Sequence, residues 1–342
     1  MKHITEALIN RQTLTREEAA SLLQHMTNAA FTEAELAAIL TVFRMRAITA
    51  QELLGFHDAM MEQCVPIRFP GFQTMDIVGS GGDGKNTFNI STLACFVVAA
   101  CGIPVTKHGN YGVSSISGSS NVLERSGLRF TAIPEVLEAQ LTATNICFLH
   151  APLFHPALKA VAQVRQSLKL RTLFNLLGPL VNPSRPAYQL IGTCNLQLAR
   201  LYREVLNEGD RMYTLVHNTD GYDEITLTAP CKIWTPQQEL FLEPGMLQLP
   251  TIQPDALYGG DTPEAAATLF RTILRGKGTP AQQTVVCINA ACAIHMVTGE
   301  GLSAAYQRAS AALSSGAAYE VYQQLLQFQQ QTHATAYEHH SI

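Results

Sequence analysis

A small all-helical domain followed by a larger α/β domain with a mostly parallel central sheet is the fold class the sequence predicts. Residues 1 to about 65 carry helical periodicity only, divided by three Thr-x-x-Glu capping boxes. From residue 75 onward, short apolar runs end in glycine-rich turns and give way to helical stretches, the alternation expected of a parallel sheet. Between the two lies PIRFPGF, residues 66–72, a Pro/Gly breaker and candidate linker.

The capping boxes are Thr15/Glu18, Thr32/Glu35 and Thr49/Glu52, each opening an amphipathic run such as Leu36, Ile39, Leu40 and Phe43. In each, the threonine hydroxyl can satisfy an N-terminal amide while the glutamate reaches back to the cap. Beyond the linker, a strand is expected over 75–78 and a helix over 91–101, stopped by Gly102. An extended segment follows at 103–106, then a helix over 119–125 with Gly127 in C-cap position. Further apolar strands are expected at 146–149, 213–216 and 284–288. Residues 156–178 read as helical and are expected to rejoin the N-terminal helices. The domain organisation is therefore a helical domain over 1–70, rejoined by about 165–185, and an α/β domain over 71–164 and 186–342. The polar tail from Gln327 is expected to fray.

At 342 residues, 47% hydrophobic and 15% charged, the chain can bury a sizeable core and is neither disordered nor collagenous. A net charge of −4 without a basic block argues against a nucleic-acid partner. The eight cysteines form no C-x-x-C pair and sit mostly in apolar runs, as buried reduced thiols do. The N-terminus lacks an apolar signal core and no run of 18 apolar residues occurs, so a soluble cytoplasmic protein is expected.

The chemistry concentrates between Asp76 and Glu124. Gly79-Ser80-Gly81-Gly82-Asp83 directly follows a strand, where glycines allow a sharp turn and close approach of backbone to ligand. It has neither the Walker A ending nor the Rossmann spacing. Asn89-Ile90-Ser91-Thr92 then sets polar groups on the first turn of the next helix, either as caps or as phosphate and metal ligands. Lys107-His108-Gly109-Asn110 ends a second strand, where α/β sheets bind ligands, and Ser114, Ser115, Ser117, Ser119 and Ser120 follow. Two such loops within fifty residues suit a ligand carrying phosphate at more than one place. Downstream, His155 and Arg165 lie on a helical stretch, and Asp223-Glu224 follow a strand and a glycine turn. That carboxylate pair is either a solvated turn or a Mg²⁺ site.

Taken together these residues resemble the anthranilate phosphoribosyltransferases, of the nucleoside-phosphorylase-like phosphoribosyltransferase class. The matching segments are GSGGD (79–83), TFNIST (87–92), KHGN (107–110), the SS-x-SGS pattern (114–119), HPALKAVAQVR (155–165), RTLFNLLGPLVNP (171–183) and DGYDE (220–224). The resemblance extends from the N-terminal helices to Asn289-Ala290-Ala291. It implies an active site at the hinge between the domains, a homodimer, and transfer of phosphoribose from phosphoribosyl pyrophosphate to the amine of anthranilate. It places Gly79, Gly82, Asp83, Thr87, Asn89, Ile90, Ser91, Thr92, Lys107, Ser115 and Ser119 around the donor. Gly79, Asn110, His155 and Arg165 fall around anthranilate, with Ser91, Asp223 and Glu224 as Mg²⁺ positions. Lys107, His108, Asn110 and Arg165 are the catalytic candidates, His108 for orientation only. The chain departs from the pattern at Tyr111-Gly112, where the family more often has Arg-Ala, and at His150, where an apolar residue is more usual. Two rivals share the scaffold: a pyrimidine nucleoside phosphorylase, and a non-catalytic nucleic-acid-binding protein, which would need a basic surface and eroded loops.

Overall fold

The computed structural model describes residues 2–112 and 116–338, with side chains over 4–112 and 116–329. Four helices, Lys2–Ile9, Arg16–Thr27, Glu33–Met45 and Ala50–Glu62, open the chain. All three expected capping boxes close, the Thr15, Thr32 and Thr49 hydroxyls each accepting the amide of the glutamate three residues on. Segment 66–72 is more than a linker: Ile67 and Phe69 are buried in a small cluster with Leu137, Leu141 and Phe154. Apolar side chains within the breaker give it a docking face that its prolines alone did not suggest.

Seven strands form one sheet: β1 (Met75–Gly79), β2 (Val105–Gly109), β3 (Ile146–His150), β4 (Tyr188–Gly192), β5 (Met212–Asn218), β6 (Cys231–Trp234) and β7 (Glu239–Leu242). Their order is β3-β2-β1-β4-β5-β6-β7, parallel through β5 and antiparallel beyond it. Alternation along the strands splits the core. Met75, Ile77, Leu190 and Val216 face the cluster around the buried helix Ile90–Ala100. Ile191, Tyr213, Leu215 and Trp234 face the other way, into a cluster with the N-terminal helices. Val161, Val164, Leu173, Phe174 and Leu177 join that second cluster, so the returning segment packs on the bundle. It comprises a 3₁₀ turn Pro156–Leu158 and the helices Lys159–Leu168 and Leu173–Leu177, interrupted where Lys169 turns left-handed at φ +50°.

Two expectations are corrected. Residues 284–288 are no strand; they lie inside the helix Pro280–Thr298, buried around most of its circumference. A short apolar run fits a buried strand or a buried helix equally. The Thr279 box with Gln282, and Pro280 at the first helical position, are the signals that decide for helix. The tail does not fray at Gln327 but continues the helix Ala317–Glu338. Gln329 pins it by accepting from the Arg129 amide at 3.0 Å and donating to the Arg129 carbonyl at 2.9 Å.

Candidate active site

β1 has β2 on one side and β4 on the other, so the connections leaving it diverge and open a crevice at the strands' C-terminal ends. The loops after β1, β2 and β5 and the returning segment 155–181 enclose a cleft of about 310 Å³ there. Gly79, Gly82, Asp83, Thr87, Asn89, Ser91, Thr92, Lys107, His108, Asn110, Ser119, His155, Arg165, Asp223 and Glu224 all line it. Ile90 does not: its side chain is buried in the core, and its amide already donates to the Phe88 carbonyl at 2.7 Å. Apolar Ile90 is simply the core-facing residue of a polar turn. Ser115, like Ser114, lies outside the described residues.

Lys107 enters from the floor. It is 3% exposed, and its ammonium donates to the Ile77 carbonyl at 2.6 Å. Beneath it, burial raises the Asp76 carboxyl to about 6 against the pull of Lys107 and of Asn182, whose amide donates at 2.9 Å. The sequence pattern had not singled out Asp76 or Asn182.

Three carboxylates gather on the opposite wall. Asp223 accepts the Gly81 amide at 2.6 Å and Glu224 accepts the Ser91 amide at 2.9 Å, so each carboxylate ties one end of the β1 loop. Two paired glycines make room for Asp223. A Cβ on Gly79 would meet its carboxylate at 2.5 Å, and one on Gly192, across the register, its carbonyl at 1.5 Å. Burial, then the neighbouring Asp83, raises Asp223 to about 7. Burial and Asp223 raise Glu224 well above its ordinary value. Ser91 and Thr92 flank this wall, and the buried Thr92 hydroxyl has no hydrogen-bond partner among the described residues.

The far end of the cleft is built differently. His155 Nε2 bonds the Val181 carbonyl at 2.9 Å, while its buried Nδ1 and the buried His108 Nε2 have no hydrogen-bond partner among the described residues. The rings meet edge to face at 5.3 Å. Burial lowers His108 to about 3, with His155 adding to the effect, and lowers His155 to about 4, so both imidazoles are neutral near pH 7. Arg165 lies over the Phe174 ring at 5.1 Å, and no carboxylate pairs with it among the described residues. Its cation is held half in a low-dielectric wall facing the cleft.

The sequence matches the glycosyl transferase family a/b domain over residues 71–319 and that family's helical bundle domain over 2–64. It is 47% identical to an anthranilate phosphoribosyltransferase of Flavobacterium psychrophilum over 327 residues, 96% of this chain and 99% of that protein. The chain belongs to the anthranilate phosphoribosyltransferase family. A Bacteroides fragilis member is 49% identical over 300 residues, 88% of this chain and 91% of the other. The crystal structure of the Thermus thermophilus anthranilate phosphoribosyltransferase superposes with a TM-score of 0.88 at 32% identity, covering 95% of this chain and 98% of that one. The Saccharomyces cerevisiae enzyme, in complex with PRPP and Mg, shares the fold at a TM-score of 0.87 and 22% identity, covering 95% and 96%.

Around Tyr111-Gly112 and His150, where the sequence was expected to depart from the family's motif, aromatic and hydrogen-bond contacts join the loop after β2 to its surroundings. The Tyr111 ring meets His150 edge to face at 4.9 Å, and His150 stacks on Phe130 at 4.5 Å. Ser120 Oγ bonds His150 Nδ1 at 2.9 Å, and the Tyr111 hydroxyl donates to Glu124 at 3.4 Å. Gly112 donates its amide to Asn121 at 2.8 Å, which closes the loop onto the helix Ser119–Arg125. Arg171, quoted in a motif but given no role, also lines the cleft. Its position beside a glycine-rich loop in three dimensions is invisible along the chain.

Proposed function

We infer that this cleft binds phosphoribosyl pyrophosphate along the β1 and β2 loops and anthranilate against Arg165, and joins them as N-(5-phosphoribosyl)anthranilate with release of pyrophosphate. The observation that carries this is the polarity of the cleft. One end offers loop amides, Lys107 and carboxylates, and the other the Arg165 guanidinium, with no carboxylate partner among the described residues, and two neutral imidazoles. Family membership and the PRPP–Mg complex of the yeast relative support the same assignment.

The amine nitrogen forms a bond to the anomeric carbon as the bond to the pyrophosphate oxygen breaks. Pyrophosphate leaves with the electron pair, and the nitrogen then loses a proton. Anthranilate's amine is weakly basic and neutral near pH 7, so no strong general base is required. Positioning and electrostatic stabilisation of the leaving group supply the acceleration. Lys107, the Gly79–Asp83 loop, Thr87, Asn89, Ser91, Thr92 and Ser119 bind the donor. The unbonded nitrogens of His108 and His155 can accept the amine's N–H and aim it, beside Asn110 and Gly79. Asp223 and Glu224 suit Mg²⁺, because burial, with Asp83 beside Asp223 and Asp223 beside Glu224, raises the proton affinity of both carboxylates and a cation relieves that repulsion. Although Asp83 lies near, no three His, Cys, Asp or Glu side chains among the described residues stand so as to hold one ion together, so Asp223 and Glu224, with Ser91 beside them, are the residues that would hold it. When bound, Mg²⁺ neutralises charge on the departing pyrophosphate.

The enzyme is taken as a cytoplasmic homodimer. No helix among the described residues is long and apolar enough to cross a membrane, and Ile9 and Met45 expose apolar surface on the bundle. Sedimentation equilibrium should return twice the chain mass.

Arg165 provides the decisive test. A charge-assisted hydrogen bond contributes about 1.5–3 kcal/mol, so Arg165→Ala should raise the anthranilate KM roughly ten- to a hundredfold and leave the donor KM near wild type. Arg165→Lys should recover part of the loss, lacking the planar fork. An unchanged anthranilate KM in Arg165→Ala removes Arg165 from the acceptor site.

A further inference from the structure

Arg171 stands at the start of the segment that leads into the helix Leu173–Leu177, whose Leu173, Phe174 and Leu177 are anchored in the bundle-side core. Its guanidinium nevertheless reaches into the β1 loop. Nη1 donates to the Gly82 carbonyl at 3.1 Å and Nη2 to the Ser80 carbonyl at 3.3 Å. Nη1 also lies 3.5 Å from Cys194 Sγ. The described backbone holds no cis peptide, so each N–H paired with a bridged carbonyl points away from Arg171. The first of these, on Gly81, meets the Asp223 carboxylate at 2.6 Å. Gly82 is left-handed at φ +69°, and a Cβ there would fall 2.2 Å from Arg171 Nη1. The space beside Gly82 is therefore occupied by the guanidinium.

We propose, on the premise that the 79–83 loop binds the donor's pyrophosphate, that Arg171 is the positioning residue of that loop. By bridging the carbonyls of Ser80 and Gly82, it holds the Gly81 amide on the Asp223 carboxylate and turns the Asp83 amide away from the guanidinium. The same segment carries Phe174, which lies beneath Arg165. Arg171 therefore ties the donor loop to the acceptor wall through three residues of chain. Lysine cannot fully replace it, since a single ammonium does not span two carbonyls as a planar fork does.

The test measures donor and anthranilate KM, kcat, direct binding of phosphoribosyl pyrophosphate by calorimetry, and Tm in wild type, Arg171→Ala, Arg171→Lys, Gly82→Ala and the double variant Arg171→Ala/Gly82→Ala. Arg171→Ala should raise the donor KM and Kd about tenfold or more, with anthranilate KM at saturating donor within about twofold. Arg171→Lys should fall between wild type and Arg171→Ala. Gly82→Ala should cost less in the Arg171→Ala background than in wild type, because the side chain it collides with is gone. An unchanged donor KM in Arg171→Ala would overturn the proposal, as would additive penalties. So would equal rises in both KM values with a fall in Tm, the behaviour of a purely structural residue. If wild type itself binds no phosphoribosyl pyrophosphate, the donor assignment fails, an outcome separate from any effect of Arg171.

Discussion

Asp223 shows what burying like charges in the cleft costs. Its carboxyl titrates near 7 in the fold and near 3.8 in an unfolded chain, because it is buried beside Asp83. The folded state therefore holds the proton more tightly than the unfolded state. The stability this group contributes is complete below about pH 4 and lost as pH rises through about 7. Asp223→Asn keeps the shape and removes the charge. In the metal-free protein it should raise Tm by several degrees near pH 8, with the gain shrinking to nothing near pH 4. Turnover should fall steeply in the same variant. A Tm difference that does not change with pH would contradict the buried charge. Gly79, Asp83 and the Asp223-Glu224 pair were all visible as residue types in the right order along the chain. The roles of Arg171, Asp76 and Asn182 were not, because their contacts with Gly82, Ser80, Thr106 and one another join residues 76 to 106 positions apart, across elements whose adjacency only the sheet creates.

Among the elements, the three capping boxes share one motif and differ in consequence. Glu18 completes an exposed box, its carboxylate accepting the Thr15 amide at 2.9 Å while its own amide donates to the Thr15 hydroxyl. Glu52 is fully buried. Besides its own cap at Thr49, it accepts the Leu14 amide at 2.9 Å and both Arg46 terminal nitrogens, at 2.9 and 2.5 Å. One carboxylate thereby joins the loop before Arg16–Thr27, the end of Glu33–Met45 and the start of Ala50–Glu62. Breaking a buried charge pair costs about 3–5 kcal/mol, whereas loss of a surface cap costs about 1 kcal/mol. Glu52→Gln should therefore lower the urea midpoint several times further than Glu18→Gln. Equal shifts would mean that Arg46 and Leu14 find other partners at little cost. The motif was readable locally since a capping box spans four residues. Its load was not, since Leu14 lies 38 residues away.

Over the whole molecule, the bundle and the sheet are not independent bodies. Leu22, Phe56, Ile191, Leu215 and Trp234 belong to one continuous buried cluster, together with the returning helices. Neither part can expose its face of that cluster without stripping the other of apolar contact. Calorimetry of the full chain should accordingly show a single cooperative transition, and two separated transitions would refute the shared core. The Arg165 wall of the cleft rests on this cluster through Phe174, and the 79–83 loop rests on the sheet, so the cleft exists only where the two are packed together.

The sequence by itself determined the fold class, the helical caps, the two glycine- and serine-rich loops and the family. Each of these is written in contiguous residues: a period, a four-residue box, or a motif that keeps its order. Tertiary structure decided the rest. It turned 284–288 into the interior of a buried helix, withdrew Ile90 into the core, and set Arg171 against Gly82. A short apolar run suits strand and helix alike, and the side chain of an alternating segment faces core or cleft according to neighbours supplied from elsewhere in the chain. Those neighbours arrive through parallel crossovers, which bring together residues that no local spacing relates.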